Sequence, residues 1–135
     1  MLICVTLTSM KNQVQITLDI PPKELWANRN CHWRAKAPVA KNARLIACQA
    51  MTDEMERMGT STKWKKASLS MQFLFKDMRR RDVYNAAQAM KASIDGCVDA
   101  GLVPDDDWQH LEGGGLMAGL DRENPRVIMS FQRLA

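Results

Sequence analysis

Asp105, Asp106 and Asp107 stand in a row, and three adjacent carboxylates repel one another unless something positive joins them. Hard divalent cations such as Mg²⁺ take oxygen ligands of this kind. A further carboxylate, Asp82, follows directly on Arg79, Arg80 and Arg81. Phosphodiester chemistry asks for this combination. Carboxylates hold a metal that polarises the phosphoryl oxygen and activates water, cations hold the phosphates, and a lysine stabilises the developing charge. Lys91 is the lysine that lies between Asp82 and the three aspartates in the sequence. On a helix, Tyr84, Gln88, Lys91 and Asp95 follow one another at steps of four, three and four, so they share one flank. For the three aspartates alone a solvated acidic turn is the simpler reading; the arginines before Asp82 shift the balance towards a site.

Sulfur and imidazole offer less. Cys4, Cys31, Cys48 and Cys97 contain no CxxC pair, so reduced, partly buried thiols are expected rather than a zinc knuckle. Cys31 beside His32, and the isolated His110, lack partners for a metal.

The elements that must position these groups can be read from periodicity. Residues 13 to 20 alternate, with Val14, Ile16, Leu18 and Ile20 on one face, as in a half-buried strand. Residues 1 to 8 are its expected hairpin partner, and Pro21-Pro22 stops it. Residues 23 to 37 read as an irregular basic loop. Pro38 opens an expected helix that Gly59 closes, with Val39, Ala43, Ile46, Ala47 and Ala50 as its apolar stripe. Residues 61 to 66 form a second basic loop. Residues 68 to 76 alternate as a strand. A helix over 82–100 carries the stripe Val83, Ala87, Met90, Ile94, Cys97 and Val98, and Gly101 ends it. Gly113-Gly114-Gly115 then joins two short strands, and residues 126 to 133 form the last strand. The order is β(β)αβαβββ: a single α/β (α+β) domain over 1–135, a mixed sheet flanked by two helices.

Composition sets the frame for partners. The chain has 135 residues, 46% hydrophobic and 25% charged, which suits one globular domain and excludes wholesale disorder. No apolar run approaches the roughly 20 residues that cross a bilayer, and the first ten residues lack a basic leader, so a soluble intracellular protein with no membrane partner is expected. Residues 1–81 carry 15 Lys/Arg against six Asp/Glu, and residues 82–135 carry four against nine, so the net +4 is split into +9 and −5. A basic part joined to an acid-rich one fits a polyanion binder with a metal site.

The stretch Arg81-Asp82-Val83-Tyr84-Asn85, Lys91, Asp95-Gly96 and Asp99-Ala100-Gly101-Leu102-Val103-Pro104-Asp105-Asp106 resembles the core of the RusA family of Holliday-junction resolvases, common in phages and prophages. Leu25-Trp26-Ala27-Asn28-Arg29 and His32-Trp33 resemble that family's Asn-Arg loop, and the likeness runs over roughly residues 14–133. It implies a homodimeric, Mg²⁺-dependent (Mn²⁺ as an alternative) endonuclease that cuts four-way DNA junctions in the cytoplasm of a bacterial or phage-infected cell. By the same likeness Asp82, Asp106 and Lys91 are catalytic, with Asp82 and Asp106, and Asp105 as the neighbour of Asp106, as metal ligands; Asp107 is a further candidate ligand. Tyr84 departs from the pattern, because the family has a second aspartate there and a phenol is neutral near pH 7. Asp95 or Asp107 could compensate, Asp107 the better placed if its turn folds inward; otherwise the chain binds junctions without cutting them.

Arg29, Arg34, Lys36, Lys63, Lys65, Lys66, Arg79, Arg80 and Arg81 are the expected phosphate contacts, which give affinity rather than sequence preference. Trp26, Trp33 and Trp64 lie among them. Each either stacks on an exposed base or anchors its loop to the core, and anchoring is the favoured expectation.

Overall fold

The structure is a computed structural model that describes residues 12–26, 32–59 and 63–134. Strand β1 (Gln13–Leu18) buries Val14 and Ile16 and turns Gln13, Gln15 and Thr17 outward, as its alternation requires. Strand β2 (Ala67–Phe75) buries every second residue from Ala67 to Phe75. Strand β4 (Arg126–Arg133) does the same with Val127, Met129 and Phe131. With β3 (Leu111–Leu120) they form one four-stranded mixed sheet in the order β1-β4-β2-β3. β4 runs antiparallel to both β1 and β2, and β2 runs parallel to β3.

A parallel pair needs a crossover, and two helices supply it: α2 (Val83–Gln88) and α3 (Lys91–Asp99). The long helix α1 (Trp33–Met58) packs beside α3. Ala47, Met51 and Met55 of α1 meet Phe73, Met129 and Phe131 of the sheet and Met90 and Cys97 of the crossover in one core cluster. The result is an α+β domain with its helices on the apolar face of the sheet, while the other face stays polar with Gln15, Ser68 and Ser130.

Gly96 sets the approach of α1 and α3. A Cβ there would lie 2.2 Å from the Arg44 carbonyl oxygen and 3.0 Å from both Ala47 Cβ and Cys48 N. One turn on, Arg44 Nε and Nη2 donate to the two oxygens of Asp99 at 2.5 and 2.8 Å. Burial pushes the Cys97 thiol up to about 12, which makes it an inert core group.

Four expectations about the elements are corrected. Helix α1 begins five residues before Pro38, so residues 33–37 are helical rather than irregular; His32 makes this possible, its Nδ1 accepting the Arg34 N–H at 3.2 Å as an N-cap. The buried line of α1 is Ala47, Met51 and Met55, and Ile46 is 53% exposed. The single helix over 82–100 is two helices, broken where Met90 (φ −89°, ψ 2°) drops its side chain into the core. The three glycines join nothing: they lie inside β3, so two strands rather than three follow α3. Gly114 and Gly115 form a bulge and together face Ser70, and Gly115 N–H donates to Ser70 Oγ at 3.2 Å. A Cβ on Gly114 would meet Ser70 Oγ at 2.4 Å and Leu69 O at 2.8 Å, so close approach requires this glycine. Gly59 (φ 72°) and Gly101 (φ 95°) end their helices as expected. The hairpin partner expected over residues 1–8 lies outside the described residues. Among the described residues no helix is long and apolar enough to cross a membrane.

Candidate functional site

Lys91 opens α3, where a positive charge opposes the helix dipole. Two carboxylates hold it there. Its Nζ donates to Asp95 Oδ1 at 2.7 Å, one turn along α3, and to Asp106 Oδ2 in the loop beyond the helix. That loop is fixed by Leu102 and Val103, both buried, and by the Trp64 N–H donating to the Leu102 carbonyl at 2.7 Å. Asp106 is therefore delivered to Lys91 by core packing, not by proximity in sequence. The bond from Lys91 holds the Asp106 carboxyl below the usual carboxylate range, and the two carboxylates, Asp106 first, raise the Lys91 ammonium. The pair stays charged over the whole neutral range. It is open to solvent, so its weight in stability is at most about 0.2–1 kcal/mol.

The other expected carboxylates have local duties. Asp82 caps α2, its Oδ1 accepting the Tyr84 N–H at 2.8 Å and the Asn85 N–H at 3.4 Å. It lines a recess of about 540 Å³ with Arg80, Asn85, Lys23 and Trp26, whereas Lys91 lines a separate cleft of about 640 Å³ between α2, α3 and the β2–β3 edge. Asp105 Oδ1 accepts the Asp106 N–H at 2.8 Å. Asp107 Oδ1 accepts the N–H groups of Gln109 and His110, both at 3.1 Å, and meets His110 Nδ1 at 2.6 Å. The structure thus joins Lys91, Asp95 and Asp106, and leaves Asp82, Asp105 and Asp107 out of that contact.

Among the described residues no three His, Cys, Asp or Glu side chains are arranged to hold a metal ion. The donor set does not make a closed cation cage. Mg²⁺ is commonly held by one or two carboxylates together with water and substrate phosphate, and Asp106 with its neighbour Asp105 has the hard-oxygen chemistry for that open form of site.

The basic residues divide in the same way. Arg34, Lys36, Lys63, Lys65, Arg79 and Arg80 form no ion pair with any described residue, and all but Lys36 are exposed. Lys66 pairs with Glu112 at 3.2 Å. Arg81 is tied into the fold: it pairs with Asp77 at 2.8 Å, donates to the carbonyls of Asp77 and Arg79 at 3.1 Å, and lies 4.6 Å over the Phe75 ring. Arg29 lies outside the described residues. Of the tryptophans, Trp64 is buried and Trp26 donates from Nε1 to the Pro21 carbonyl at 3.0 Å, so both anchor loops, but Trp33 is 66% exposed, with Arg34 over its ring and His32 beside it.

Sequence reasoning missed the Asp107–His110 contact, although an i,i+3 spacing marks it, and took Asp95 as a spare acid when its i,i+4 spacing to Lys91 already made it a partner. It placed Tyr84 on one flank with Gln88 and Lys91, and all three line the Lys91 cleft. The ring is 74% exposed at the lip of the Lys91 cleft. No protein-family model matches this chain, and no curated protein matches it significantly.

Proposed function

We propose that the chain is a RusA-like endonuclease that cuts four-way DNA junctions as a homodimer with Mg²⁺. The observation that carries this reading is the Lys91–Asp106 pair: two residues that the motif likeness marks as catalytic lie 15 positions apart and touch. In this reading Lys91 donates to a phosphoryl oxygen as charge grows on it, and Asp106 keeps Lys91 protonated and aimed. Asp106 and Asp105, with Asp82 from the neighbouring recess, are the oxygen donors for Mg²⁺, which supplies Lewis-acid polarisation of the scissile phosphate when bound. Arg34, Lys36, Lys63, Lys65, Arg79 and Arg80 hold phosphates. A two-fold enzyme suits a two-fold junction, and the β3 edge, uncharged from Gly113 to Leu120, offers a self-complementary surface for pairing.

The test is cleavage of a labelled four-way junction with Mg²⁺ or Mn²⁺, beside a linear duplex and an EDTA control. Paired, metal-dependent nicks near the crossover are expected. Asp106→Asn is expected to abolish them while sparing junction binding, and persistent cleavage by that variant overturns the site assignment.

A second reading, a junction binder that does not cut, is favoured by the same geometry at other residues. Asp82, Asp105 and Asp107 already accept backbone N–H groups, and Tyr84 stands where an acid is expected. Tight binding without nicks, with cleavage gained in Tyr84→Asp, would establish it.

A further inference from the structure

The cleft beside Lys91 contains a glycine that the fold does not need. Gly113 has an ordinary negative φ, and a Cβ built on it meets no atom within 4 Å. Its neighbour Gly114 has a packing reason, but Gly113 does not. Glycine inside a strand weakens it and often marks a place where a ligand comes close to the backbone. Gly113 forms part of the floor of the cleft, whose volume of about 640 Å³ lies in the range of small-molecule sites. Met71, Ile94 and Leu116 give it apolar walls. At its lip stand Tyr84, with an exposed ring that stacks on no other described ring, and Gln88, whose amide both donates and accepts.

An apolar slot with a bare backbone floor, an aromatic lip, one amide and, at its side, the Glu112 carboxylate paired with Lys66 suits a flat ring with a polar edge. A phosphate held at Lys91, which lines the same cleft, would bring its own nucleotide there. The geometry points to this cleft as the receptor for one unstacked nucleobase flanking the phosphate at Lys91, with Tyr84 as its stacking platform. The inference rests on the junction-binding reading above and adds to it a subsite and a reason for Tyr84. An aromatic ring in place of an acid exchanges a metal ligand for a base contact, and stacking of this kind tolerates any base.

The test is junction binding by fluorescence anisotropy in EDTA, so that cleavage plays no part. Tyr84→Ala is expected to weaken binding about tenfold and Tyr84→Phe to preserve it. A junction with an abasic site beside the crossover is expected to lose the same factor with the wild type and nothing further with Tyr84→Ala, which is the mark of two groups in direct contact. Gly113→Val fills the floor. It is expected to keep or raise the melting temperature, since the position is open and valine suits a strand, while removing the difference between intact and abasic junctions. Wild-type affinity in Tyr84→Ala, or losses that simply add, overturn the base subsite and leave the DNA reading standing. Intact DNA binding by Gly113→Val with a changed oligomeric state assigns the cleft to a second copy of the chain and also overturns it. If the wild type binds neither junction nor duplex, the junction-binding reading falls, and the subsite falls with it.

Discussion

Arg80 and Arg81 are neighbours with the same side chain and different work. Arg81 has one carboxylate, two carbonyls and an aromatic face around it and is half-buried, whereas Arg80 is exposed and pairs with nothing described. Arg81→Ala therefore removes structure: the carbonyls lose their donor and Phe75 its cover. A loss of roughly 1–3 kcal/mol is expected, read as a lower urea midpoint. Arg80→Ala leaves the midpoint unchanged. If the chain binds DNA, it lowers affinity evenly across sequences and reduces the slope of log affinity against log salt by about 1. The triple arginine looked like one phosphate clamp in the sequence because charge alone cannot tell a guanidinium that faces water from one that lies on a ring.

At the scale of elements, the contact of α1 with α3 is the sharpest constraint. Gly96→Ala puts a methyl group against the Arg44 carbonyl, a backbone atom that can move only if the whole helix does. A loss of about 1–3 kcal/mol, with the denaturant slope unchanged, is expected. The Arg44–Asp99 bond on the same seam has a pH signature. Arg44 holds the Asp99 carboxyl below its ordinary value, so the bond stabilises above the unfolded value of about 3.9 and is lost as pH falls through the depressed one. The gap in melting temperature between wild type and Asp99→Asn should be level across neutral pH and close on acidification. Strands β1, β2 and β4 were legible because a half-buried strand writes its two faces as strict alternation, and Gly59 and Gly101 were legible because a left-handed cap needs glycine. The break at Met90 was not, since an apolar residue continues a helical stripe whether or not the helix continues. Nor was the role of Gly113 to Gly115, because a glycine run marks a turn, a bulge or a bare floor equally well. The Lys91–Asp106 contact was legible only as a motif; the loop packing of Leu102 and Val103 that closes it was not.

At the scale of the molecule, everything in the sheet hangs on β4. It is the only described partner of β1 and binds the inner side of β2, yet it follows all the other described elements in chain order. Removing the chain from Arg126 onward is expected to unfold the domain rather than trim it, seen as loss of the cooperative urea transition by circular dichroism. The same placement governs time. Val14 must find Phe131 across most of the chain, so loop closure comes before any reward from the sheet, and folding in milliseconds to seconds rather than microseconds is expected. During synthesis β1 and β2 leave the ribosome with their apolar faces bare and their shared neighbour not yet made. The growing chain therefore keeps these faces open to other chains until β4 emerges, and a lower concentration of nascent chains should raise the yield of folded protein.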